Sequence, residues 1–167
     1  TRHRGGRRHA GRAPAAAQEA SPPPCEEKVF RDFDFWVGEW EVFGPDGKKA
    51  GDNTITREEY GCLLVERWVN AAGQTGQSYN FVDLATRKWR QVWVSAGATI
   101  DYAGGLNDKA QMVLEGTIAY PTGVTAPFRG TWTANKDGSV TQYFQQYNAD
   151  AKKWDDWFTG VYKKKAT

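Results

Sequence analysis

The stretch Trp89-Arg90-Gln91-Val92-Trp93-Val94 decides how this chain folds. Trp89, Gln91 and Trp93 fall on one side of an extended chain, and Arg90, Val92 and Val94 on the other. That period of two is the signature of a strand with two different faces. The alternation recurs outward from this point. Upstream, Leu64, Glu66 and Trp68 share a face. Downstream, Met112, Leu114, Gly116 and Ile118 oppose Val113, Glu115 and Thr117. Val140, Gln142, Phe144 and Gln146 likewise alternate with Thr141, Tyr143, Gln145 and Tyr147. No window carries the 3.6-residue spacing of a long amphipathic helix. A short helical turn fits around residues 26–34.

Turn chemistry punctuates these runs at short intervals. Gly44-Pro45-Asp46-Gly47, Ala71-Ala72-Gly73, Ala85-Thr86-Arg87 and Ser95-Ala96-Gly97 mark the first half. Asn107-Asp108-Lys109, Pro121-Thr122-Gly123, Asn135-Lys136-Asp137-Gly138 and Asp150-Ala151-Lys152 mark the second. The gaps leave no room for crossover helices, so about ten antiparallel strands follow one another in a meander. Such a meander closes most easily into an up-and-down β-barrel, because closure removes exposed edges. A two-sheet sandwich is the alternative. A charged turn directly before Trp89 is echoed before Trp154, which is shared hairpin chemistry rather than a solenoid repeat.

Composition agrees with an all-β domain. The eight Trp, seven Tyr and eight Phe all lie between Phe30 and Tyr162, and each ring brings a large apolar area to a core. The mean hydropathy is nevertheless −0.70, since the aromatics alternate with polar residues. Residues 1–24 hold five Arg against one acid, Glu19. Of the chain's 22 basic and 20 acidic residues, 17 and 19 therefore belong to the remainder. The basic excess sits in the leader, and the domain's own Lys and Arg fall mostly in turns, which argues against a nucleic-acid groove. No stretch approaches the roughly 20 apolar residues of an integral membrane segment.

Residues 1–28 read as a disordered, basic and Pro-rich leader, and residues 29–165 as a single domain. Ala15-Ala16-Ala17 before Gln18-Glu19 resembles the small-residue site of an export signal, so a remnant of such a signal is one reading. An ordinary disordered N-terminus is the other. The first reading makes the protein periplasmic or secreted. Cys25 and Cys62, the two cysteines, permit a disulfide or stand as two thiols. The two histidines, His3 and His9, lie in the leader, which removes His/Cys zinc sites, a histidine-ligated haem and a His-based triad from the domain. No metal site and no cofactor are expected.

The segment Phe33-Asp34-Phe35-Trp36-Val37-Gly38-Glu39-Trp40-Glu41-Val42 resembles the opening of an uncharacterised, mostly bacterial family of calycin-like (lipocalin-type) β-barrels. Gly61-Cys62-Leu63-Leu64-Val65-Glu66-Arg67-Trp68, Gly76-Gln77-Ser78-Tyr79-Asn80 and the Trp89–Val94 stretch fit the same pattern. So do Met112-Val113-Leu114-Glu115-Gly116 and Phe158-Thr159-Gly160-Val161-Tyr162. The resemblance implies a barrel with an interior cavity, often in exported proteins, and implies no activity. Ser95 and Thr159 depart from it, standing where an acid is common, so chemistry resting on those acids is not implied here. Nitrite- and haem-binding barrels share a Gly-x-Trp opening but use a histidine that this domain lacks.

Candidate sites follow from the alternation. In the opening segment, Gly38 lets the first strand bend while Trp36 and Trp40 plug one barrel end. Glu66 is the weak catalytic candidate: facing inward beside Trp68, it would be desolvated and able to act as acid or base. The structural alternative pairs it with Arg67 or Arg129. Glu39 and Glu115 are weaker, more readily solvated or paired. Uncharged polar residues among aromatics suit a small-molecule pocket, which makes Trp68, Ser78, Asn80, Gln91, Trp93 and Gln142 the expected ligand-binding set, with Gln146 nearby. Solvent-facing positions or a satisfied internal network are the alternative. Three functions follow: binding of a small apolar or amphipathic molecule, a cofactor-independent isomerase, cyclase or lyase using Glu66, and a fully packed structural or interaction module.

Overall fold

A computed structural model describes residues 24–166 and the isolated Gly11; the expectations for the rest of the leader lie outside the described residues. Among the described residues there are ten strands: β1 Gly38–Phe43, β2 Lys49–Glu58, β3 Leu63–Asn70, β4 Thr75–Val82 and β5 Trp89–Ser95. They continue as β6 Thr99–Leu106, β7 Met112–Ala119, β8 Thr125–Ala134, β9 Val140–Asn148 and β10 Lys153–Lys164. Each pairs antiparallel with its neighbour in sequence, and β1 closes the barrel on β10 from Trp40↔Lys164 to Phe43↔Val161. The barrel expected from the alternation is therefore present, and the sandwich is not. Eight of the nine turns coincide with the turn signals in the sequence. The ninth, a 3-10 turn at Glu59–Gly61 between β2 and β3, is built from three successive positive-φ residues, Glu59, Tyr60 and Gly61.

The inward phase of the strands carries most of the core, including Val42, Ile55, Leu64, Val82, Ile100, Leu114, Ile118 and Phe128. Val65, on the outward phase of β3, is buried as well. The register does more than fill the interior. It sets Glu66 opposite Ser78, Asn80 opposite Gln91, and Gln91 opposite Tyr102. Directly opposed side chains on one face lie close enough to bond, so β3–β6 gather a polar belt inside the barrel.

One barrel end is closed by the segment ahead of β1. Two 3-10 turns, Lys28–Arg31 and Asp34–Trp36, occupy the place where the sequence allowed a helical turn. They turn Phe30, Phe33 and Trp36 inward. Phe33 stacks on Trp36 at 4.8 Å between ring centres and meets Trp132 and Trp89 edge-on at 5.1 and 5.6 Å. The Trp89 indole N–H donates to the Val29 carbonyl at 2.9 Å. Gly38, at φ +148°, turns the chain out of this plug into β1, and the Trp40 indole lies across it, donating to the Trp36 carbonyl at 2.8 Å.

Polar clamps hold the plug from outside. Cys25 and Cys62 form a disulfide across 37 residues, joining the start of the plug to the β2–β3 connection. A loop of that size corresponds to about 4 kcal/mol in the chain-entropy model. The Arg31 guanidinium donates to the Gly61 carbonyl at 2.6 Å and the Cys25 carbonyl at 3.2 Å, and Arg57 pairs with Asp34 at 2.8 Å. Cys25 and Glu27, in the stretch assigned to the leader from sequence, are thus bonded to the domain, Glu27 through Arg87.

Candidate functional site

The opposite barrel end is open. A cavity of about 1000 Å³ runs inward from a rim formed by the β3–β4 and β5–β6 turns. Trp68, Trp93, Ile100, Phe144 and Phe158 supply its walls, with Tyr120 and Trp157 also bordering it. The indoles line this space rather than fill it, for a reason visible at Gly76. A Cβ there would come within 2.2 Å of the Trp93 ring. The missing side chain lets the ring lie flat against β4. Trp157 is 45% exposed, and its N–H donates to the Tyr120 hydroxyl at 3.2 Å, which in turn bonds Gln146.

Glu66, Gln91, Tyr102, Gln142 and Tyr162 also border the cavity, at its inner limit. The Glu66 carboxylate accepts from the Ser78 hydroxyl at 2.6 Å and from the Asn53 amide at 2.7 Å. The Asn80 amide donates to Ser78 at 2.8 Å, and the Gln91 amide to Asn80 at 2.6 Å. The Tyr102 hydroxyl donates to Gln91. On the other side, Asn53 also donates to the Tyr162 hydroxyl at 2.9 Å, which donates to Gln142 at 3.0 Å. Every bond on the path from Tyr102 to Glu66 points its proton towards the carboxylate.

Among the described residues, no lysine or arginine takes part. The sequence offered Arg67 or Arg129 as partners for Glu66, and the structure corrects this. Arg67 points outward to Glu58, while Arg129 bonds Glu115 and Gln145 and lies 4.2 Å over the Trp154 ring. Both arginines sit on strand positions of the opposite phase from Glu66, so the barrel wall separates them. Burial pushes the Glu66 carboxyl up to about 7, against the pull of the Ser78 and Asn53 hydrogen bonds. Tyr102 and Tyr162 are likewise pushed well above the ordinary phenol range, by burial and then by the Glu66 charge.

Of the six residues expected to bind a ligand, Trp68, Gln91, Trp93 and Gln142 border the cavity. Ser78 and Asn80 lie behind it, bonded to Glu66 and Gln91. Glu39 is exposed, and Glu115 pairs with Arg129 at 3.3 Å. Sequence reasoning passed over Asn53, Tyr102, Tyr120, Trp157 and Tyr162. Asn53 shares the phase of Ile55, and Tyr102 that of Ile100, which was the available signal. Among the described residues, no group of three His, Cys, Asp or Glu side chains could hold a metal ion, and no helix is long and apolar enough to cross a membrane.

Chemically, the site combines aromatic walls, amide groups and one buried acid whose protonation changes near neutrality. Fold and site together define a ten-stranded up-and-down β-barrel, plugged at one end and hollow at the other. No protein-family model matches the sequence, and no curated protein matches it.

Proposed function

We propose that this protein binds a small apolar or amphipathic molecule inside the barrel, in the manner of calycin-like proteins. The observation that carries the reading is the open-ended cavity, with ring-lined walls and a bonded polar floor. Its volume lies at the upper end of the range for ligand pockets, and pockets are mostly apolar with a few fixed polar groups. Trp68 and Trp93 would supply contact area, and Gln91 and Gln142 orientation. A hollow of this size weighs against a fully packed interaction module. The disulfide suits an oxidising compartment, which favours an exported protein. Residues 29–165 serve as the binding domain.

Native mass spectrometry of the purified protein tests this reading, with a co-purified small molecule of defined mass as the expected result. A bare protein that also shows no tryptophan fluorescence change against a panel of lipids, phenols and sugars would refute it. One observation favours a second reading, a cofactor-independent isomerase, cyclase or lyase: the buried Glu66 carboxyl stands near 7 at the inner limit of the cavity, where general acid–base work is efficient. That reading requires turnover to disappear in Glu66→Gln with the fold intact.

A further inference from the structure

Among the described residues, Glu66 is a buried strand acid without a cation partner, whereas Glu39 and Asp156, which also lack one, are exposed. Glu41, Glu58, Asp101 and Glu115 each sit within 4 Å of a Lys or Arg. Glu66 is 4% exposed and, among the described residues, has no cation partner. Among the described residues it is also the only Asp, Glu, Lys or Arg bordering the cavity. Its two recorded partners, Ser78 and Asn53, donate one hydrogen bond to each oxygen. The donor chain from Tyr102 through Gln91 and Asn80 is oriented the same way. Hydrogen bonds donated to both oxygens favour the charged form of the carboxyl, while burial opposes it. Above about pH 7 the floor therefore carries a negative charge that no cation among the described residues neutralises.

The walls carry the complementary feature. Trp40 and Trp154 have a Lys or Arg over their rings, whereas no protein cation lies over Trp68 or Trp93 among the described residues. Indole faces attract cations, most strongly where water is excluded. A buried carboxylate has already lost its water in the folded protein. An arriving cation therefore gains a charge-assisted bond without desolvating that partner again.

We propose that the cavity selects an organic monocation, a primary or secondary ammonium on an aromatic or short alkyl body, its nitrogen bonded to Glu66 and its body against Trp68 and Trp93. The inference rests on the binding reading above and narrows it to a ligand class. Pairing with Glu66 also makes binding sensitive to acidity. Glu66 gains a proton below about pH 7, while Tyr102 and Tyr162, the titratable groups facing it from β6 and β10, stay neutral. Its remaining neighbours, Asn53 on β2 and Ser78 on β4, do not titrate.

Calorimetric titration with matched pairs tests the proposal: 2-phenylethylamine against 2-phenylethanol, and tryptamine against its alcohol of the same skeleton. Each amine should bind wild type about tenfold or more tighter than its alcohol at about pH 8, with the preference shrinking towards about pH 5. Glu66→Gln should level each pair, and Glu115→Gln, on the outer surface, should keep the preference. Alcohols that bind as well as amines at the higher pH would overturn the cation assignment and leave the cavity reading standing. Failure of both classes would overturn both. Should Glu66→Gln not fold, the pH dependence of the amine preference in wild type decides alone.

Discussion

The two ends of this barrel are made from the same residue types and do different work. At the closed end, Trp36, Trp89 and Trp132 pack against Phe33 and are almost wholly buried. At the open end, Trp68 and Trp93 are half-buried and face a hollow. Indole supplies stability in the first place and leaves unsatisfied contact area in the second. The difference shows that aromatic content alone says nothing about a site. What matters is whether another part of the chain arrives to cover each ring. The plug ahead of β1 covers one end, and nothing among the described residues covers the other.

Truncation should separate the ends most sharply. Trp132→Ala should cost about 3–5 kcal/mol, because a large buried side chain is lost and its neighbours cannot collapse. Trp36→Ala should behave alike. Urea denaturation followed by circular dichroism measures both. If either variant is as stable as wild type, the closed end is not the structural half.

Removing the disulfide attacks the closed end from outside. The double variant Cys25→Ser with Cys62→Ser should lose about 2–4 kcal/mol. Hydrogen exchange should quicken in residues 28–36 and barely change around Trp93. Equal loosening of both ends would break the comparison.

The Glu66 carboxyl holds its proton to about pH 7 when folded and to an ordinary 4.5 otherwise. Its folded value is raised, so the stability it lends is complete below about pH 4.5 and disappears as pH rises through 7. The whole effect is on the order of 3 kcal/mol. Glu66→Gln should therefore be more stable than wild type at pH 8 by up to about that amount, with the gap closing near pH 4.5. Denaturation midpoints at the two pH values check it. A gap independent of pH would show that Glu66 does not titrate in this window.

The smallest effect belongs to the open end. Trp93→Ala should cost only about 1–2 kcal/mol, since the ring already borders a void. It should still abolish most of the fluorescence response to ligand. A loss matching that of Trp132→Ala would mean that the wall is a core.

Much of this architecture was legible in the chain. Period-two alternation around Trp89–Val94 and eight turn signals lead to a ten-stranded meander, and the phase of Leu64, Glu66 and Trp68 turns the acid inward. The β2–β3 turn was hidden because Glu59 and Tyr60 are not turn residues. They are held at positive φ beside the disulfide and the Arg31 clamp. Asn53 and Tyr162 were hidden for a different reason. Asn53 reaches Glu66 diagonally from the neighbouring β2, one pair away from the directly opposed Ile55, and Tyr162, 96 residues from Glu66, meets Asn53 only because β10 closes the barrel on β1. Which tryptophans plug and which line is likewise set by register across the whole sheet, and no local window carries it.

The division between a covered and an uncovered end can be read directly from the eight tryptophan indole signals in a ¹H–¹⁵N spectrum. On addition of tryptamine, the signals of Trp68 and Trp93 should move, and those of Trp36, Trp89 and Trp132 should stay where they are. Shifts spread over both groups, or confined to the second, would contradict a hollow that begins at one mouth and ends above the plug.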